Sequence, residues 1–318
     1  MKKLFLFVVF SLAIWSTIYA QTDKKDTVYT GIYITSIHNI DFKQNEFTIT
    51  FWLWMKYKNP ELDFVNNLEV PNAKTVDKTF ATLDTSENGI VLQMKMQCVM
   101  KDSWQINNFP FDEQKLRVSI ENSQYDTSTM IFVADTLGEH YDKRFTLHGW
   151  YIDSCIISTG NKVYKTVFGD DTAVEQESVY SAFRVRLSVT REAGELFLKM
   201  FLGMYLAFFV SYICFFIHSD SMDSRFSLSV GSLFAVVGNK YIIESSLPES
   251  SSFTLVDTLH GITLLFILLV IAANTYSLRM VKKGQFEKAF YFDNRIGLLV
   301  LTVYALLNTF FIWQAVVA

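Results

Sequence analysis

Residues 223–248 read DSRFSLSVGSLFAVVGNKYIIESSLP, a run apolar enough to cross a bilayer that still carries serines, glycines, an asparagine and a lysine. On a helix of about 3.6 residues per turn, Ser227, Gly231, Phe234, Gly238 and Tyr241 fall on one stripe. Ser229, Leu233, Val236, Lys240, Ile243 and Leu247 fall on the opposite one. Such a stripe can face water inside a membrane, or let two helices approach closely. Spacing alone leaves both roles open. Bond-making chemistry has less support, because CxxC, HExxH, GxGxxG and GxSxG are absent from the sequence. No nucleophile–base or metal-ligand constellation replaces them, so neither enzyme nor cofactor is expected.

The elements that must position this stripe come from the rest of the chain. Four apolar stretches, about 196–217, 226–247, 254–278 and 296–317, each reach the roughly 20 residues a helix needs to cross about 30 Å of hydrocarbon. Arg279, Lys282, Lys283 and Lys288 cluster between the third and fourth, whereas Glu244, Glu249 and Asp257 flank the loop after the second. That asymmetry puts the basic loop in the cytoplasm and the N-terminal half outside. MKKLFLFVVFSLAIWSTIYA, residues 1–20, reads as a secretory signal.

From Thr27 to Thr190 the pattern changes to short strands. Phe47, Ile49, Phe51 and Leu53 share one face of FTITFWLW, Leu116, Val118 and Ile120 one face of KLRVSIE, and Phe183, Val185, Leu187 and Val189 one face of FRVRLSVT. Turns such as NP, ENG and TGN separate them, which predicts an antiparallel β-sandwich over residues 21–193, followed by a membrane domain over 194–318. A net charge of −4 with no lysine or arginine block excludes a nucleic-acid partner. Three cysteines make no disulfide framework, and a Cys98–Cys155 bridge has no further sequence support.

WQINNFPFDEQKL, IENSQYD and the second span with Pro248 after it together resemble the pentameric ligand-gated ion channels of the Cys-loop receptor superfamily, over nearly the whole chain after residue 20. Phe109, Pro110, Phe111 and Asp112, followed by Gln114, resemble the signature loop at the base of the extracellular sandwich. Where animal receptors place two bridging cysteines this chain has Asp102 and Leu116, and its link between the third and fourth spans is short; both features resemble the bacterial branch. SIHNIDFKQNEF is similar to the family's first hairpin, with Lys43, Gln44 and Asn45 at the tip. Arg191 stands where the family has an arginine just before the first span, Ser211 fits a small polar position within it, and Gly203 replaces the usual proline.

The resemblance implies a homopentamer around a central pore, in the inner membrane of a bacterial cell, with the sandwich in the periplasm. Ser227, Gly231, Phe234, Gly238 and Tyr241 would line the pore, with Asp223 one turn below Ser227 as a cation-attracting ring and Glu244 at the outer mouth. Arg225 would turn away from the pore, Lys240 would snorkel or pair with Glu244, and Asn239 and His260 would hydrogen-bond between helices. Coupling would run through the Phe109–Asp112 loop, Arg191 and the Lys43 tip to Pro248 and the loop from Glu249 to Thr254. The agonist site would lie between neighbouring sandwiches, with Trp52 and Trp54 on one side and Ser123, Tyr125, Phe168, Asp170 and Asp171 on the other. A plainer alternative makes the acids a solvated loop tip and the tryptophans interface packing. The expected partners are membrane lipid, permeating inorganic ions, and a small molecule, proton or divalent cation as modulator; a non-conducting membrane-anchored sensor is the alternative function.

Overall fold

The computed structural model describes residues 25–169, 176–218, 220–250 and 252–317. The expected signal segment and Asp170 and Asp171 lie outside the described residues.

The first half forms two sheets. Strands β1 (Asp26–Asp41), β2 (Glu46–Tyr57), β4 (Ala73–Ser86), β5 (Gly89–Lys101) and β7 (Met130–Ala134) make one, in the order β4-β5-β2-β1-β7. Strands β3 (Leu68–Glu69), β6 (Glu113–Asn122), β8 (Trp150–Tyr164) and β9 (Ser178–Arg191) make the other, in the order β3-β6-β9-β8. A one-turn helix, α1 (Phe64–Asn67), precedes β3 and is capped by the Asp63 carboxylate, which accepts from the Asn66 N–H. Period-two alternation explains how the sheets meet: Phe47, Ile49, Phe51 and Leu53 of β2 and Phe183, Val185, Leu187 and Val189 of β9 all point inward and are buried. Each such side chain contributes about 1.5–3 kcal/mol on burial. The sandwich is not antiparallel throughout, since β7 pairs with β1 in parallel, from Asp26 opposite Met130 to Thr30 opposite Ala134. β4 is exposed along nearly its whole length in the single protomer.

Four long helices follow, each long and apolar enough to span a membrane: α2 (Ala193–Tyr212), α3 (Met222–Glu244), α4 (Leu255–Lys282) and α5 (Phe286–Val317). The protein is therefore a multi-pass membrane protein. A 3₁₀ turn, Ile213–Phe216, extends α2. The helix starts within two residues of β9, so the sandwich and the bundle share one continuous chain segment at Arg191. α2 runs unbroken through Gly203, where the family's usual proline would have removed a backbone donor. Boundaries read from hydropathy differ from those observed. α3 ends at Glu244 rather than near 247, and α4 runs on to Lys282 rather than 278. The largest difference is at α5, which begins at Phe286 instead of near 296. Its first turns look too polar to be buried, but Asp293 is inside the bundle and paired with Arg225 of α3. Gly284, at φ +75°, makes the left-handed turn that joins α4 to α5 in so few residues.

Candidate functional site

α3 has two unlike faces. Arg225, Ser229, Ser232, Val236 and Ile243 are buried against the rest of the bundle. Asp223, Ser227, Gly231, Phe234, Gly238 and Tyr241 are exposed, Phe234 at 69% and Tyr241 at 74%. A Cβ added at Gly231 or Gly238 would meet nothing within 4 Å, so these glycines do not serve helix packing inside the protomer. One of the two roles left open by spacing is thereby removed within a single chain. Leu228, off the stripe, is half-buried.

Arg225 faces away from the stripe. Its guanidinium pairs with Asp293 at 2.8 Å and donates to Asn274 Oδ1 at 3.2 Å and to the Ile217 carbonyl, with 3% and 2% side-chain exposure for the ion-pair partners. At the other end of α3, Lys240 Nζ lies 2.8 Å from Glu244 and 2.9 Å from Asp257 of α4. The Glu244 carboxylate is thus held by a lysine on its own helix. Asp257 also accepts from the N–H and hydroxyl of Thr254, the capping box that starts α4.

The junction between sandwich and bundle is built on Arg191. Its Nε donates to Asp112 Oδ1 at 2.7 Å and its NH2 to Oδ2 at 3.1 Å, a two-point contact that suits the guanidinium fork. Gln114 Nε2 adds a third bond to Asp112 at 2.7 Å. Three rings surround the guanidinium carbon: Trp150 at 4.0 Å, Phe42 at 4.5 Å and Phe109 at 4.9 Å. Next in the loop, Phe111 packs on Phe197 in the first turns of α2, with ring centroids 5.4 Å apart. Pro110 is buried and follows a cis peptide bond.

Lys43 is exposed at the hairpin tip, where Asn45 takes a positive φ of +54°. Asn45 of the tip, but not Lys43, lines a cleft of about 770 Å³ together with Asp102, Trp104, Asn107 and Pro248. The direct bonds to the α3–α4 loop come from Asn107: its carbonyl accepts from Leu255 N–H at 2.8 Å and its Oδ1 from the Ser252 hydroxyl at 2.8 Å. The sequence reading missed Asn107; its place directly before the Phe109 loop was the available signal. Asp102, at one of the expected cysteine positions, is bound by the backbone and guanidinium of Arg117, next to Leu116. An ion pair closes this loop where a disulfide would otherwise do so. Cys98 and Cys155 are free, and burial pushes their thiols up to about 12 and about 11.

The aromatic residues divide between the two sheets. Trp52 meets Phe80 edge-on at 5.7 Å and has Lys95 Nζ 5.8 Å from its ring. Trp54 is otherwise engaged. Its ring lies so close to Gly31 that a Cβ there would come within 2.3 Å, and its Nε1–H donates to Asp135 Oδ2 at 3.0 Å. That bond holds the Asp135 carboxyl below its ordinary value. Ser123 donates to the Asn67 carbonyl, and the Tyr125 hydroxyl to the Glu61 carbonyl, so both are used in holding local chain.

On β8, β9 and the turn between them a second group forms. Tyr164, Phe168 and Tyr180 meet pairwise edge-on, at 5.4, 5.9 and 6.3 Å. Tyr164 donates its hydroxyl to Glu121 at 2.8 Å, and Lys162 sits over its ring at 5.5 Å. Burial, then Glu121, raises the Tyr164 hydroxyl well above its usual range; burial, Asp126 and Glu69 raise Tyr180. The sequence reading found Phe168 but neither tyrosine. Three ring faces beside acids suit a cation. Among the described residues no cluster of His, Cys, Asp and Glu is arranged to hold a metal.

No family model matches the chain. Curated proteins do. It is 22% identical over 271 residues to the pH-sensitive chloride channel 2 of Drosophila melanogaster, covering 76% of this chain and 51% of the fly protein. It is 22% identical over 259 residues to a proton-gated ion channel of Gloeobacter violaceus, covering 73% of this chain and 67% of that one. A γ-aminobutyric acid receptor subunit beta of Caenorhabditis elegans is 22% identical over 281 residues, 77% of this chain and 48% of the receptor subunit. The chain spans about half the length of the fly and nematode proteins.

Proposed function

This chain belongs to the pentameric ligand-gated ion channel superfamily, and from that membership we propose that five copies assemble around a pore lined by α3. The observation that carries the reading is the exposed stripe Ser227, Gly231, Phe234, Gly238 and Tyr241, whose glycines face open space while the opposite face of α3 is packed. A helix with a buried arginine behind it and serine, glycine and aromatic side chains in front has its wet face toward a central axis. Asp223, exposed in the first turn, then forms a ring of acid at the cytoplasmic mouth, and the channel selects cations. Phe234 forms the narrowest apolar collar and the closed gate.

Opening is controlled by a ligand or by protons. The site lies between sandwiches, with Trp52 and Phe80 of one protomer facing Tyr164, Phe168 and Tyr180 of the next. Glu121, Glu69 and Asp126 around the tyrosines favour an amine or another cation. Two relatives named for protons or pH add the proton as modulator. The protein sits in a bacterial inner membrane with the sandwich in the periplasm, an orientation supported by Arg279, Lys282, Lys283 and Lys288 around the α4–α5 turn.

The test is recording from purified protein in planar bilayers while pH, divalent cations and amines are varied. Currents with reversal potentials near the cation equilibrium potential are expected. A pentamer that stays silent under every condition, yet binds an amine at Tyr164 and Tyr180, overturns the channel reading in favour of a membrane-anchored sensor.

A further inference from the structure

His260 is fully buried in α4, and both of its ring nitrogens face an oxygen. Nδ1 is 2.8 Å from the Val256 carbonyl one turn back on its own helix, and Nε2 is 3.0 Å from Asn239 Oδ1 on α3. The other end of the Asn239 amide donates to the Met200 carbonyl on α2 at 3.1 Å. Gly203 makes room for that reach, since a Cβ there would stand 3.2 Å from Asn239 Nδ2.

The circuit therefore runs from one backbone carbonyl, through an imidazole and an amide, to a second carbonyl. It contains three contacts and needs three donors. A neutral imidazole supplies one N–H and one lone pair, and an amide presents one donor end and one acceptor end. Those make two donors for three contacts, and turning the amide over only moves the mismatch from His260 to Met200. A doubly protonated ring supplies the third donor and satisfies every contact. We propose that His260 is a proton-binding site whose imidazolium latches α2, α3 and α4 together.

The surroundings bear on that charge from each neighbouring element. From α2, the Phe201 ring lies with its centroid 5.6 Å from the imidazole and accommodates a cation. The charged groups nearest along the helices are Lys240 and Glu244 of α3 and Asp257 of α4 itself, and they are paired with one another, Lys240 lying 2.8 Å from Glu244 and 2.9 Å from Asp257. α5 approaches through Tyr304, whose hydroxyl bonds Thr263 one turn along α4 at 3.0 Å. Burial opposes the charge, so the proton is held well only while the circuit is closed. By reciprocity, occupancy favours the arrangement in which the three helices are joined, and parting Asn239 from His260 releases the proton. The consequence for gating rests on the channel reading; the assignment of the site does not.

The test uses the full-length protein in lipid bilayers with ¹⁵N-labelled histidine, read by solid-state NMR as pH is changed. Of the five histidines, His260 is identified by the signals lost in His260→Gln. The wild type is expected to show a ring with two N–H groups that converts to one N–H within about pH 4–8. Asn239→Leu removes the facing oxygen and should lower the midpoint by at least about tenfold in proton concentration, and Asn239→Asp should raise it by as much. A single N–H at every pH in the wild type overturns the proposal, as does one midpoint shared by the wild type and both variants. If Asn239→Leu does not fold, the upward displacement in Asn239→Asp decides alone. None of these readings needs a current, so a conducting protein can fail the test and a silent one can pass it.

Discussion

Breaking the Arg191–Asp112 pair should cost far more than the loss of a surface ion pair. The side chains are 10% and 2% exposed, bonded at two points, and the guanidinium lies among three rings. Removing one partner of such a buried pair leaves an uncompensated charge, at about 3–5 kcal/mol. Arg191→Met keeps an apolar stem against Trp150 but leaves Asp112 with the Gln114 amide as its remaining side-chain donor, so its loss belongs at the upper end, about 4 kcal/mol. Asp112→Asn retains one oxygen that can still face the guanidinium, and the aromatic cage retains a share of the cation's stabilisation, so about 2–3 kcal/mol is expected. The double variant buries no unpaired charge and should fall below the sum by about 2 kcal/mol or more. Denaturant unfolding of the solubilised protein, followed by fluorescence of tryptophans including Trp150 beside the guanidinium, measures all four corners of the cycle. Raising salt from about 0.1 to 1 M should change the coupling little, because the pair is shielded from solvent ions. Additivity within about 0.5 kcal/mol would refute the reasoning, since it would mean that the two charges do not depend on each other.

Three further outcomes are expected. Phe234→Ser should give channels that leak at rest or open at a much lower agonist concentration, while Leu228→Ser, off the stripe, should not; unchanged resting current in an assembled Phe234→Ser pentamer would exclude Phe234 as the gate. Asp223→Asn should move reversal potentials in asymmetric salt toward the chloride potential, and no movement would show that selectivity is set elsewhere. Asp135, held low by the Trp54 N–H, should stabilise the sandwich above its unfolded value near 3.8 and lose that contribution as pH falls through its lower folded value. Trp54→Phe should therefore be less stable near neutral pH, with about 1 kcal/mol of the deficit belonging to this bond, and the deficit should shrink by that amount in strong acid; an equal deficit at every pH would assign the loss to packing alone.

What could be read from the sequence divides along a physical line. Alternation in β2, β6 and β9 and the length of the apolar helices are local signals, and they gave the sandwich and the four spans. The parallel β1–β7 pair joins segments about a hundred residues apart, and neither strand differs in pattern from an antiparallel one. The start of α5 was hidden for the same reason, because Asp293 reads as exposed until Arg225, 68 positions earlier, is seen beside it. At the candidate site, Asp112 and Arg191 were legible through the resemblance, and their distance of 2.7 Å fits the expected junction. Tyr164 and Tyr180 were not, because they become neighbours only through the β8–β9 register, in which Tyr164 faces Ser178 and Lys162 faces Tyr180. Trp52 and Trp54 have the same spacing relative to the core, yet one meets Phe80 while the other is laid on Gly31 and bonded to Asp135. Period two assigns a face and not a partner.

The first turn of α4 has a mechanical position that no single motif announces. Its leading N–H, at Leu255, bonds the Asn107 carbonyl in the sandwich loop, and its third residue, Asp257, both caps the helix through Thr254 and binds Lys240 of α3. One turn further, His260 meets Asn239, which in turn reaches α2 at Met200. In the proposed channel a shift of the sandwich loop would therefore act on α4 first and reach α3 through the Asp257–Lys240 pair and the His260–Asn239 contact, whose α3 ends, Lys240 and Asn239, lie on the face turned away from Phe234. Because Asp257 serves the cap and the ion pair with the same carboxylate, displacing Lys240 and unwinding the start of α4 draw on the same group and cannot be independent. The Arg191–Asp112 contact lies at the foot of the sandwich, two residues before α2, and in the proposed channel it would be the anchor against which a motion at Asn107 turns α3 and α4 relative to α2. The residues that would set the gate at Phe234 then lie behind the stripe as well as along it.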